Sequence, residues 1–395
     1  MNIVFFHSNG ILPNFGGISR VTDILGTLFV SKGHSVWYVG AQDKHTGETY
    51  SERQYFLPSP DLFSEVNREF IVEFVIKNNI DAIINQDALN PNSALFLSGC
   101  KQKADFILVS CFHNSILTPI YNGAYQKEYL LKKKRFGWLF PLMKSRLVSS
   151  FMTSVYINKH RKRYMSTINN SDRVFVLCNG QVPELYRMCG MSFPDKVRVV
   201  PNGIDIHVEQ EKQKEKIVLW LGTFDYSIKR PDNMLLIWKM IEEQTTEWTL
   251  YMLGDGPSWG EMKQMAKSLG LKRVLFLGRV NPDKFYQRAS VSCVTSVHES
   301  FSMVILESQR VGCIPVVNNS FTSIPMLVQN GKNGYIVPAF DNKAFAKVLL
   351  SLMNNEGLLQ NMRSKAIDNA AKFSLEKIYD IWMTQLNERK YEKSF

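Results

Sequence analysis

Two glutamates with seven residues between them, Glu299 and Glu307, are the side chains in this sequence best placed to do chemistry. They belong to the run His298-Glu299-Ser300-Phe301-Ser302-Met303-Val304-Ile305-Leu306-Glu307, which Gly312-Cys313-Ile314-Pro315-Val316-Val317 follows. The whole reads as strand, short polar loop, helix, tight turn, strand. In an α/β sheet the loop after a strand's carboxyl end faces the ligand crevice. The first turn of the helix that follows offers free backbone N–H groups to an anion. Glu299 can therefore reach polar groups of a ligand whose phosphates rest on the amides of Phe301, Ser302 and Met303. Glu307, about two helical turns further on, is placed for a second polar moiety such as a ribose. Spacing alone is weak support, since two glutamates this far apart arise by chance about once in a chain of this size.

Other blocks carry comparable chemistry. Phe15-Gly16-Gly17-Ile18-Ser19-Arg20 follows the first strand and opens the first helix, and its glycines let backbone approach a ligand without a Cβ in the way. Its spacing is not Gly-x-Gly-x-x-Gly, and no such fingerprint follows another strand, so a nicotinamide or flavin cofactor is not indicated. His113, in Ser110-Cys111-Phe112-His113-Asn114, ends a strand on the ligand side, although a lone histidine is more often structural than catalytic. Lys229 and Arg230 close the loop Gly222-Thr223-Phe224-Asp225-Tyr226-Ser227-Ile228, which leaves the strand at Leu219-Trp220-Leu221. Leu253-Gly254-Asp255-Gly256-Pro257 and Phe276-Leu277-Gly278-Arg279-Val280 each end a strand as well. Pro201-Asn202-Gly203-Ile204-Asp205 has the fixed φ of proline and the left-handed preference of Asn-Gly, which suit a junction.

The elements that must position these residues alternate from the start. Strands are predicted at Asn2–Phe6, Ser35–Val39, Ala82–Asn85, Phe106–Cys111 and Arg173–Leu177, with helices at Ile18–Ser31, Arg68–Lys77 and Asn92–Lys101. A second series begins near residue 216, with strands at Lys216–Leu221, Thr249–Leu253, Arg273–Leu277, Val291–Thr295, Ile314–Val317 and Tyr335–Val337. Its helices fall near 231–243, 257–269, 282–289, 303–311 and 342–353. The charged stretch Glu209–Lys216 reads as a solvated connector between the two series. Leu375–Lys390 is a final amphipathic helix. A length of 395 residues suits two domains rather than one core.

Taken together and in order, these blocks resemble the retaining glycosyltransferases of family four. The resemblance implies the GT-B architecture: α/β, two Rossmann-like domains whose parallel sheets face each other across a cleft. An acceptor domain is expected over 1–200, completed by the final helix at 375–395, and a nucleotide-sugar donor domain over 201–374. On the same ground Glu299 and His113 are the expected catalytic pair, with His113 hydrogen-bonding a donor hydroxyl. Gly16, Gly17, Lys229, Arg230, Arg279, Val280, Phe301, Ser302, Met303 and Glu307 are the expected donor-binding residues. The family pattern has arginine where this chain has Thr223, so one diphosphate contact is lost or Arg230 or another base supplies it. No Asp-x-Asp pair occurs in the chain, and no metal or cofactor is expected. Lys229 and backbone amides would take the place of an ion. The expected reaction moves a hexose-type sugar from a UDP- or GDP-sugar to a lipid-linked or growing surface-glycan acceptor. A nucleotide-sugar epimerase of the same architecture and a non-catalytic nucleotide-sugar-binding protein are the alternatives.

Composition narrows the setting. Hydrophobic residues make up 45% of the chain and charged residues 21%, which suits a globular domain rather than a disordered or membrane-spanning one. Met1-Asn2-Ile3-Val4-Phe5-Phe6-His7 reads as a buried strand rather than a secretion leader. The six cysteines form no Cys-x-x-Cys pair and are expected reduced, as in the cytoplasm. The formal charge of +11 is concentrated: ten lysines and arginines and no acid lie between Tyr129 and Ser171. Across 130–165 these cations interleave with Phe136, Trp138, Leu142, Leu147 and Phe151, which suits a peripheral helix on an anionic membrane surface, here the inner face. A solvated basic face is the plainer alternative, and no nucleic-acid motif accompanies the charge.

Overall fold

The structure, a computed structural model, describes residues 1–12, 16–43, 50–208 and 213–392. Phe15 and positions 209–212 of the charged connector lie outside the described residues. The elements run β1 (Asn2–Asn9), α1 (Gly17–Ser31), β2 (Ser35–Gln42), β3 (Gln54–Phe56), α2 (Glu65–Lys77), β4 (Ala82–Asn85), α3 (Pro91–Cys100) and β5 (Ile107–Phe112). Four helices follow, α4 (Thr118–Tyr121), α5 (Gly123–Lys133), α6 (Leu139–Lys144) and α7 (Arg146–Asn169). Then come β6 (Arg173–Val176), α8 (Gln181–Cys189) and β7 (Val197–Val199). The second series is β8 (Glu215–Leu221), α9 (Pro231–Ile241), β9 (Thr249–Leu253), α10 (Trp259–Ser268), β10 (Val274–Gly278), α11 (Asp283–Arg288), β11 (Ala289–Val294) and α12 (Met303–Gln309). It closes with β12 (Ile314–Asn318), α13 (Ile324–Leu327), β13 (Tyr335–Val337), α14 (Asn342–Met353), α15 (Glu356–Ala370) and α16 (Leu375–Glu392).

Two compact units result. The first comprises Met1–Ile116, Tyr156–Asn202 and Leu375–Phe395, and the second Leu117–Val155 and Gly203–Ser374. The first unit holds a seven-stranded sheet in the order β3-β2-β1-β4-β5-β6-β7, the second a six-stranded sheet in the order β10-β9-β8-β11-β12-β13. All pairings between neighbouring strands are parallel. Parallel sheets need cover on both faces, and the side chains divide accordingly. Ile3 and Phe5 of β1 join one core with Leu25 and Phe29 of α1, while Val4 and Phe6 join another with Ile71, Val75 and Phe96. Helix α16 completes the first of these cores, with Trp382 edge-on to Phe29 at 5.9 Å and to Phe175 at 4.9 Å. In the second unit Trp220 of β8 and Trp238 of α9 are fully buried in one core.

One boundary differs from expectation. Residues 130–165 were expected in the first domain, yet positions 117–155 fall in the second unit, and the division lies inside α7. Aromatic packing accounts for this. Tyr125 stacks on Phe340 at 3.7 Å, and Tyr129 packs on Tyr226 at 4.9 Å.

Candidate functional site

In each sheet the strand order reverses once, and ligands in open α/β sheets gather at the carboxyl ends of the strands flanking that reversal. In the second unit the reversal lies between β8 and β11. The loop after β8 carries Lys229 and the loop after β11 carries Glu299. Their side chains meet there, Lys229 Nζ standing 3.0 Å from Glu299 Oε1. Ser296 Oγ donates to the same oxygen at 2.6 Å. Burial alone would raise this carboxyl, but Lys229 and the hydroxyls of Ser296 and Ser302 outweigh it and hold it below the usual carboxylate range. Glu299 is therefore an anion at neutral pH, and Lys229 is the cation that a phosphate would share.

Backbone packing sets the position of Lys229. Its carbonyl accepts from Thr295 Oγ1 at 2.8 Å, and that hydroxyl accepts in turn from the Trp220 indole at 2.9 Å. Its aliphatic stem lies over Gly222, where an added Cβ would stand 3.3 Å from Cγ. Gly254 is needed for a close approach: its φ is 122°, and a Cβ there would lie 2.0 Å from the Gly222 carbonyl oxygen. The glycine-rich turn after β9 thus props up the loop after β8, a role in the scaffold.

The remaining expected residues of this unit are placed less uniformly. Ser302 is buried as the residue before α12, and Met303 opens that helix. Phe301 turns its ring inward against Phe373 at 5.9 Å, which leaves only its backbone for a ligand. Glu307 is 4% exposed and accepts from the Tyr286 hydroxyl at 3.0 Å. Arg279 and Val280 are exposed just beyond β10. Among the described residues no group of three or more His, Cys, Asp or Glu could hold a metal ion.

In the first unit the reversal lies between β1 and β4. Gly16, at φ 95°, precedes α1, and a Cβ on Gly16 or Gly17 would meet nothing within 4 Å, so the start of this helix is open. His113 follows β5 and is half-buried, its Nε2 hydrogen-bonded to Gln86 Oε1 just beyond β4. Burial, with the nearby His7 charge added, pushes its pKa down to about 4. The ring is neutral at physiological pH, with Nδ1 and Nε2 in different roles.

Family comparison places this geometry. Residues 203–373 match the model of the glycosyl transferases group 1 family. That part of the chain belongs to the group 1 glycosyl transferases. Lys229, Glu299 and Glu307 all lie within the group 1 region. An uncharacterized glycosyltransferase of Haemophilus influenzae is 28% identical over 173 residues, covering 43% of this chain and 49% of the relative. A second relative is the GalNAc-alpha-(1->4)-GalNAc-alpha-(1->3)-diNAcBac-PP-undecaprenol alpha-1,4-N-acetyl-D-galactosaminyltransferase of Campylobacter jejuni. It is 28% identical over 188 residues, 47% of this chain and 52% of the relative. The chain thus spans about half the length of these curated relatives. Among solved structures, Anabaena Alr3699/HepE in complex with UDP superposes with a TM-score of 0.72 at 15% identity, over 98% of this chain and 100% of that one. The fold is GT-B, two Rossmann-like units each built on a parallel sheet.

Against the group 1 pattern, Arg230 requires correction. It was expected beside Lys229 as a donor ligand and as a substitute for the arginine that Thr223 replaces. Its guanidinium is instead buried at 3% exposure, bound to Asp232 at 2.9 Å, to Glu128 at 3.0 Å and to Asn233 at 2.8 Å. Freeing it for a phosphate would strip a buried ion-pair network of its cation. Thr223 itself is exposed. Sequence reasoning missed Ser296 and Thr295, whose short polar side chains just before Glu299 were the only local signal. Asn122 and Glu128, far away in the chain, carried none.

Proposed function

We propose that the chain is a retaining glycosyltransferase that moves a hexose-type sugar from a UDP- or GDP-sugar to a lipid-linked or growing surface-glycan acceptor, with no metal ion. One observation carries this reading: within the group 1 region, a buried anionic Glu299 and Lys229 meet at 3.0 Å where the strand order of the sheet reverses. Lys229, with the backbone N–H groups of Phe301, Ser302 and Met303, takes the charge that builds on the departing diphosphate. Glu299 orients the sugar and favours positive character at its anomeric carbon. The bond from that carbon to the diphosphate oxygen breaks, and a bond to the acceptor hydroxyl forms on the same face. The acceptor's proton passes to the leaving phosphate, so no separate base is required, and an α-linked donor yields an α-linkage. A neutral His113 ring suits a hydrogen bond to a donor hydroxyl. Glu307 is assigned to the ribose through whichever of its bonds exchange on binding, and Arg279 and Val280 to the base.

The undecaprenol-linked saccharide named for the Campylobacter relative and the UDP of the Anabaena structure support this choice of acceptor and donor. We assign the protein to an anionic membrane surface, peripherally and on the cytoplasmic side. Support comes from Trp138 at 71%, Leu147 at 85% and Phe151 at 66% exposure beside Lys134, Arg135, Lys144 and Arg146. Among the described residues no helix is long and apolar enough to cross a membrane. The test is a thermal-shift screen of UDP, GDP and ADP sugars, followed by incubation of the stabilising sugar with and without a saccharide acceptor. Transfer that needs the acceptor is expected. Conversion of the donor alone to an isomer would replace this reading with epimerisation.

A further inference from the structure

Helix α5 reaches both loops of the candidate donor site from sequence far away. The Asn122 side-chain amide, just before α5, donates to the carbonyls of Val297 and Ser320, each at 2.7 Å and the first across 175 residues. Val297 precedes His298 and Glu299, and its own N–H donates to the Ile228 carbonyl at 2.6 Å beside Lys229. Glu128 accepts from Arg230 Nη1 at 3.0 Å across 102 residues, and the Tyr125 carbonyl accepts from the same nitrogen at 3.2 Å. Arg230 sits at φ 55°, a left-handed conformation that a side-chain-bearing residue keeps only where its surroundings over-determine it. Asp232 holds the guanidinium from one side and α5 from the other. The backbone so fixed is the one that carries Lys229.

We infer that Asn122 and Glu128 are positioning residues of the donor-phosphate site, Glu128 acting through Arg230 on Lys229 and Asn122 through Val297 on the Glu299 loop. The inference rests on the reading of that site as the place where the donor diphosphate binds. It gives Arg230 the work of a brace rather than of a ligand. It also ties the donor loops to the stretch of chain that carries the exposed apolar and basic side chains, since α5 leads directly into α6.

Hydrogen exchange on the full chain without nucleotide tests the positioning itself. Glu128→Ala leaves Arg230 paired with Asp232, so the fold is retained, and the amides of Lys229 and Arg230 are expected to exchange about tenfold faster, the effect of losing one charge-assisted bond. Asn122→Ala should do the same at Val297. Glu128→Asp should restore part of the protection, and Lys239→Ala, on the exposed side of α9, should change neither loop. The stabilisation of the chain by UDP or GDP should fall in both α5 variants and stay unchanged in the Lys239 variant. Unchanged exchange at those three amides overturns the inference, as does a uniform rise across the whole second unit, which marks a purely structural role. A wild-type chain stabilised by neither nucleotide overturns the donor reading itself, and the exchange result then still shows whether α5 orders the loops.

Discussion

Glu299 bears the heaviest functional weight of any single side chain here, and its removal is the sharpest residue-scale test. Glu299→Ala should lower transfer by about a hundredfold or more, the scale of losing a group preorganised for the transition state, with the thermal midpoint little changed. Near-normal turnover would contradict the assignment. The exposed Thr223 supports a prediction in the opposite direction. Thr223→Arg, which restores the family's cation next to a site that Arg230 does not serve, should lower the donor KM by about tenfold, one charge-assisted contact. A second titrating group is His113, whose folded pKa of about 4 lies below the unfolded value of 6.5. Between these values the unfolded chain binds the extra proton, so His113 makes stability rise with pH across that window. Urea midpoints from pH 4 to 7 should show wild type losing stability on acidification relative to His113→Asn, and parallel curves would refute the depressed pKa. At this scale Glu299, Lys229 and His113 were legible because strand ends announce themselves by the apolar runs before them. Arg230 was misread because an exposed and a buried Lys-Arg pair look identical in sequence.

Elements follow the same division. Strands buried on both faces, such as Ala82–Asn85 and Thr249–Leu253, emerge at the predicted bounds because continuous apolar runs leave little choice. The edge strands Gln54–Phe56 and Val197–Val199 escaped prediction, being three residues long and stabilised by a neighbour's free edge rather than by their own pattern. Helices α5 and α6 escaped because their stripes are crowded with lysine. For α16, burial of Ile378, Trp382 and Leu386 in the first unit's core sets a measurable cost. Trp382→Ala should destabilise the protein by about 3–5 kcal/mol, read as a lower denaturant midpoint at unchanged slope, because the cavity between Phe29 and Phe175 cannot fully close. A cost under about 1 kcal/mol would mean that the helix is only loosely docked.

At the scale of the whole molecule the uneven charge makes the remaining prediction. Vesicles with anionic lipid should retain the protein at low salt and neutral vesicles should not. At about 0.5 M salt, where the screening length falls to a few ångströms, most but not all of the binding should be lost. The remainder is expected from apolar side chains such as Trp138 and Phe151, so Trp138→Ala with Phe151→Ala should remove it in a flotation assay. Failure to bind anionic vesicles at any salt would end the membrane assignment without touching the chemistry of Glu299.

By itself the amino-acid order determined two α/β units, most of their strands, and the loops on which the reacting side chains stand. These depend on local apolar periodicity and on short motifs that act within a few residues. Only the tertiary structure decided that Arg230 is a buried brace, that Glu299 is held ionised against Lys229, and that residues 117–155 pack with the second unit. Each of these rests on contacts between residues far apart in the chain, and burial, which sets both the cost of a charge and its partner, exists only once the sheets and helices have closed around it.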